Sequence, residues 1–215
     1  MGDPEAGYLD IVAHYEACLA AHGDTHRGVD WPNVDDAAKR YEVMLGLLDH
    51  PRRPPEPCLL DLGCGAGHLL EHLRRNGPAD VRYLGADISP RFIDLCRTKF
   101  PEDSFTVVDV LREPDRLPAA DFIVANGVFT EKRSLSWEAM WGHTRRMIAA
   151  LFRNARVGLA FNVMSHHVDW QRDDLFHLPF DTLAAFLRAD VSRHFRFRSE
   201  YGLYEYTAYV YREAC

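Results

Sequence analysis

Cys58 to Leu73 reads CLLDLGCGAGHLLEHL, with Gly63, Gly65 and Gly67 at alternate positions between an apolar run and a leucine-rich helical pattern. A strand that enters Gly-x-Gly-x-Gly and leaves as a helix makes a turn whose main chain is open to a ligand. Glycine allows positive φ there and carries no Cβ to hold the ligand away. Spacing narrows the choice of ligand. The dinucleotide fingerprint G-x-G-x-x-G would put its third glycine at His68, and no Gly-Lys-Ser/Thr follows for a P-loop. The richest acid–base cluster lies in SHHVDWQRDD, where His166, His167 and Asp169 stand close together. Imidazole titrates near neutrality and suits a general base. No third metal ligand assembles around them, so no metal is expected there.

Strand ends have to hold these residues. CLLDLG, VRYLGADI, SFTVVDV, DFIVANGVF and ARVGLAFNVM read as strands, and amphipathic helices alternate with them. SPRFIDLCRTKF has Ser89 as N-cap and Pro90 at the first helical position. SWEAMWGHTRRMIAALF spaces Trp137, Met140, Trp141, Thr144, Ile148 and Leu151 along one helical face, and a shorter helix starts near Asp181. HFRFRSEYG and YEYTAYVYR alternate around a tight turn, as an antiparallel hairpin does. The expected fold is α/β: a doubly wound, mostly parallel seven-stranded sheet with a C-terminal antiparallel hairpin. Ahead of it, Ile11, Val12, Tyr15 and Leu19 mark one helix, and Ala38, Tyr41, Leu45 and Leu48 another. HGDTHRGVDWP separates them, and HPRRPPEP leads into the sheet. The expected division is a helical cap over residues 1–56 and one ligand-binding unit over 57–215.

Asp61, Gly63, Gly65 and Gly67 match, position for position, the E/D-x-G-x-G-x-G motif of class I S-adenosylmethionine-dependent methyltransferases, which this sequence resembles from about Cys58 to Arg212. The resemblance implies S-adenosylmethionine (SAM) as cofactor, its methionine part against the bare backbone around Cys64. It implies that Asp87, beside Ile88, binds the ribose diol, that Asp109 with Val110 meets the adenine, and that Asn126-Gly127 ends the fourth strand near the transferred methyl. Amino-methylating nucleic-acid enzymes of this kind carry [DNS]-P-P-[YFW] at that strand end. Asn126-Gly127-Val128-Phe129 has neither proline, which counts against adenine or glutamine amines as acceptors. The acceptor end is then expected between THRGVDWP and SHHVDW, with Trp31, Phe129 and Asp169 on the acceptor and His166 or His167 nearest the chemistry.

A formal net charge of −7 gives no long-range attraction for a polyphosphate, so nucleic acid is not an expected partner. Five cysteines without a CxxC pair read as reduced thiols, and neither a signal peptide nor a membrane-spanning run is visible. The expectation is a cytoplasmic monomer or homodimer that methylates a small molecule in line. Two other readings stand beside it. Arg188, Arg193, Arg196 and Arg198 support an RNA or protein methyltransferase, and a non-catalytic cofactor-binding subunit would have little reason to keep Asp61, Asp87 and Asp109.

Overall fold

The computed structural model describes residues 7–214. Its centre is β1 (Cys58–Leu62), β2 (Arg82–Asp87), β3 (Ser104–Val107), β4 (Ala120–Phe129) and β5 (Ala155–Ser165), all parallel. A two-residue strand β6 (His177–Leu178) pairs with the end of β5 on the side where β4 has ended, and the hairpin β7 (His194–Arg198) and β8 (Glu205–Tyr211) adds antiparallel along the opposite edge of β5. The order along the sheet is β3-β2-β1-β4-β5-β8-β7. It reverses between β1 and β4, where doubly wound sheets leave a crevice at the carboxyl ends of their strands.

The apolar runs stay continuous because the central strands are buried on both sides. Alternate side chains serve two separate cores. Leu60, Ile123 and Phe161 face the helix α5 (Trp137–Asn154) and α6 (Phe180–Phe186), joined by Met140, Ile148 and Leu151. Leu59, Phe122 and Val124 face the other way, toward Leu70 of α3 (His68–Asn76) and Ile93 of α4 (Pro90–Lys99). Met44 of α2 (Val34–Leu45) and Leu47 just beyond it are fully buried in that second core. α2 is thus part of the sheet's cover. By contrast, no residue of α1 (Leu9–His22) is buried.

Two local readings change. Ser89 stands at the N-cap of α4, but its hydroxyl makes no capping bond and donates to Glu16 of α1 at 2.6 Å. β4 is not regular to its end: Ala125 pairs with Phe161 and Phe129 with Val163, so three residues face a single one, Asn162. Asn126-Gly127-Val128 bulges out, with Gly127 at φ 80°. Among the described residues no helix is long and apolar enough to cross a membrane.

Candidate active site

At the carboxyl ends of β1, β2 and β4 lies a cleft of about 190 Å³. Its floor is the turn after β1. Gly63, Gly65 and Gly67 have φ of 71°, 51° and 76°, a region that L side chains enter only with strain. A Cβ on Gly63 would come within 2.6 Å of Val128, and one on Gly65 within 3.2 Å of Val29, both of which line the cleft. Gly67 differs: a Cβ there would meet Phe100 at 2.7 Å and the Cys96 sulfur at 3.2 Å. Its bareness serves helix packing.

Three carboxylates stand at successive strand ends. Asp61 is buried and accepts from the Tyr83 hydroxyl at 2.7 Å. Burial is the main cause that raises its pKa to about 7, and the neighbouring Asp87 adds to it. Asp87 accepts the backbone N–H of Gly65 at 3.0 Å on one oxygen and that of Ser89 at 2.9 Å on the other. Burial raises its pKa against those two bonds. Each oxygen retains a lone pair for a further donor. Asp109 accepts the backbone N–H groups of Leu111 and Arg112 at 3.1 and 3.2 Å and the Tyr8 hydroxyl at 2.5 Å.

Helix α1 roofs the cleft. Ile11, Val12 and Tyr15, together with Tyr8 just before the helix, form a stripe at i, i+3, i+4 and i+7 that lines it. Tyr8 also stacks on His143 of α5 at 5.0 Å, and desolvation pushes the His143 pKa down to about 4. Trp31 closes one side. The Arg40 guanidinium lies 4.3 Å over its ring and binds Glu205 at 2.8 Å. Glu205 accepts from the Asn162 amide at 3.0 Å, and the Asn162 oxygen accepts the Gly127 N–H at 2.7 Å. A Cβ on Gly127 would strike the Trp31 ring at 2.9 Å, so the circuit Arg40–Glu205–Asn162–Gly127–Trp31 closes on itself. It fixes the bulged end of β4 against the loop that walls the cleft.

A family model described as a methyltransferase domain matches residues 60–156. A Mycobacterium tuberculosis (strain ATCC 25618 / H37Rv) protein named "Putative methyltransferase Rv1506c" is 31% identical over 153 residues, which is 70% of this chain and 90% of that one. The chain belongs to the class I SAM-dependent methyltransferases. Its fold agrees. Magnesium protoporphyrin IX methyltransferase from Synechocystis PCC 6803, solved with bound SAM, matches with a TM-score of 0.66 at 16% identity, over 99% of each chain. A TehB-like SAM-dependent methyltransferase from Corynebacterium glutamicum ATCC 13032 Kitasato matches with a TM-score of 0.56 at 16% identity, over 96% of this chain and 98% of that one.

The methyltransferase has a cleft that fits its cofactor on chemical grounds. Asn126 Oδ1 and His143 Nδ1 are buried with no hydrogen-bond partner, and both residues line the cleft. Unpaired polar atoms in such a wall need a ligand with polar groups of its own. Of the residues read from sequence, the structure gathers Trp31, Asp61, Gly63, Cys64, Gly65, Asp87, Ile88, Asp109, Val110, Asn126 and Gly127 around this one space.

Five others do not line it, and one of them is Gly67, which packs toward Phe100 and Cys96 instead. Phe129 is fully buried in the core, edge-on to Phe161 at 5.6 Å, because the bulge turns its side chain inward. Asp169 accepts from the Tyr204 hydroxyl at 2.9 Å on another face. Neither His166 nor His167 lines the cleft. β5 continues to Ser165 and carries the loop away: His167 stacks on Phe180 at 5.8 Å, and His166 pairs with Gln171 at 3.1 Å. Sequence reading missed Tyr8, Tyr41, His143 and Met147, which do line it. Met147 and His143 are one turn apart on α5, beside its buried stripe, and that spacing was the available signal.

Proposed function

We propose that this methyltransferase moves a methyl group from SAM to a small, uncharged or cationic molecule held under α1 and the 25–32 loop. The observation that carries the reading is the lining of the cleft: among the described residues it holds no lysine or arginine, and Tyr8, Ile11, Val12 and Tyr15 roof it. A polyanionic backbone would find no cation to pair with there.

When bound, SAM supplies an electrophilic methyl on a positively charged sulfur. The chain's own residues supply position and a dry site. Gly63 and Gly65 offer main chain, Asp61 a carboxylate for an ammonium group, Asp87 two oxygens for a diol, and Asp109 an acceptor at the far end beside Tyr8. Tyr15, Trp31 and Val128 exclude water beside the β4 bulge. Alignment of the reacting atoms and exclusion of water account for most of such a rate enhancement, because the sulfur leaves neutral. No role falls to His166 or His167 in this reading. Incubation with methyl-labelled SAM, fractionated metabolites, bulk tRNA and cell protein tests it. Label is expected in a small-molecule fraction; label in tRNA or protein alone overturns it.

A further inference from the structure

Beside the cleft, outside its lining, three side chains from two separate segments converge, and a fourth from a third segment stands next to them. His14 and Cys18 stand one turn apart on α1, with His14 Nε2 and Cys18 Sγ 3.7 Å apart. Asp30, held at φ 58° after the 26–29 turn, puts a carboxylate oxygen 2.8 Å from His14 Nε2. The ligand atoms of these three residues all lie within 4.8 Å of one another. Glu131, immediately past β4, brings Oε2 to 3.9 Å from the same nitrogen.

Glu131 is 8% exposed, and its Oε2 is buried without a hydrogen-bond partner. Arg133 stands 3.6 Å from that oxygen but also 3.7 Å from Asp174, which Arg172 holds as well. His14, Cys18 and Asp30 thus present three donor atoms to one space, and Glu131 stands next to His14 with a buried oxygen that has no hydrogen-bond partner.

We propose that His14, Cys18, Asp30 and Glu131 form a zinc site that clips α1 and the Trp31 loop to the end of β4. One nitrogen, one sulfur and two carboxylate oxygens make a donor set suited to tetrahedral Zn²⁺, harder than a Cys₄ site and softer than a calcium or magnesium cage. Zinc bonds of about 2.0–2.3 Å set tetrahedral donors about 3.3–3.6 Å apart. The 3.7 and 3.9 Å separations from His14 lie near that spacing, and the 2.8 Å contact to Asp30 opens slightly when a metal replaces the hydrogen bond. Binding releases the Cys18 proton and leaves a zinc–thiolate bond. The consequence is mechanical. Tyr15 beside His14 and Trp31 beside Asp30 both line the cofactor cleft, so the metal would hold its roof shut.

The test needs no methyl acceptor. The full chain is stripped with chelator, given ZnCl₂, passed over gel filtration and assayed for metal against protein. One zinc per chain is expected, with about tenfold or greater weakening in Cys18→Ser and in Glu131→Gln, measured by chelator competition. Co²⁺ in place of zinc should give a near-ultraviolet thiolate charge-transfer band that Cys18→Ser abolishes. Circular dichroism shows that each variant is folded, and the wild-type stoichiometry stands without them. No retained zinc, or zinc held equally tightly by both folded variants, overturns the proposal. SAM binding by the stripped protein would leave the methyltransferase reading intact in either case.

Discussion

Asp61 is protonated over a range in which an ordinary aspartate is charged, because its site is dry and faces Asp87. In the unliganded protein it holds a proton between 3.8 and about 7 that the unfolded chain has already lost. Its contribution to stability therefore falls as pH rises through that window. An ammonium group beside it reverses the preference and favours the carboxylate. SAM affinity is then expected to rise with pH up to about 7, with proton release on binding that calorimetry reads from two buffers of different ionisation enthalpy. Asp61→Asn should abolish both effects; a pH-independent affinity in the wild type would refute the role. Asp87 tests the neighbouring contact. Asp87→Ala should fold and weaken SAM binding by about 1–3 kcal/mol, the cost of lost bonds to a charged acceptor, and unchanged affinity would remove Asp87 from the site. The loop histidines lie off the cleft, so His166→Ala and His167→Ala should turn over near the wild-type rate. A fall of about 10²-fold in either would restore it as a general base.

At the scale of elements, the end of β4 decides how the site is shaped. Asn-Gly is a turn signal inside an otherwise apolar strand, and in the fold it becomes a bulge that aims Asn126 and Val128 at the cleft. Gly127 is left-handed and its Cβ position is filled by Trp31, so two costs add in Gly127→Ala. The backbone strain alone is about 1–2 kcal/mol. Displacement of Trp31 should also weaken SAM binding, whereas a stability loss with unchanged affinity would detach the bulge from the site. On the far side of the circuit, Glu205→Gln leaves the half-buried Arg40 guanidinium without its anion. Removing one partner of a buried pair costs about 3–5 kcal/mol, so a loss near that size in denaturant unfolding is expected. A loss below 1 kcal/mol would mean that solvent screens Arg40.

For the whole molecule, the succession of strands and helices and the cofactor motif were legible because each depends on neighbours in sequence. Apolar runs marked the strands, and glycine spacing marked the turn after β1. What stayed hidden depends on the fold bringing distant residues together. His143 reads as one polar residue on an amphipathic helix until Tyr8 stacks on it, and Glu131 gains a meaning only beside His14. The SHHVDW loop misled in the opposite sense, since its composition suggests chemistry that its path carries away from the cleft. The same separation of scales governs motion. The sheet is closed on both faces by residues such as Leu59, Leu60, Phe122 and Ile123, all fully buried, while α1 buries none of its residues. α1 meets the rest mainly through the 26–29 turn, single bonds such as Ser89 to Glu16, and the wall of the cleft. Few buried contacts mean cheap local opening, so α1 amides should exchange far faster than those of β1 or β4. A ligand under the roof changes that selectively. Saturating SAM should slow exchange in α1 and at residues 26–31 and leave the slow core of the sheet the last to open. At about 100 times Kd the ligand adds about 2.7 kcal/mol to global stability, visible as a raised Tm. Equal protection of every element would show that α1 is no lid, and unchanged α1 exchange with a raised Tm would place the cofactor outside its reach.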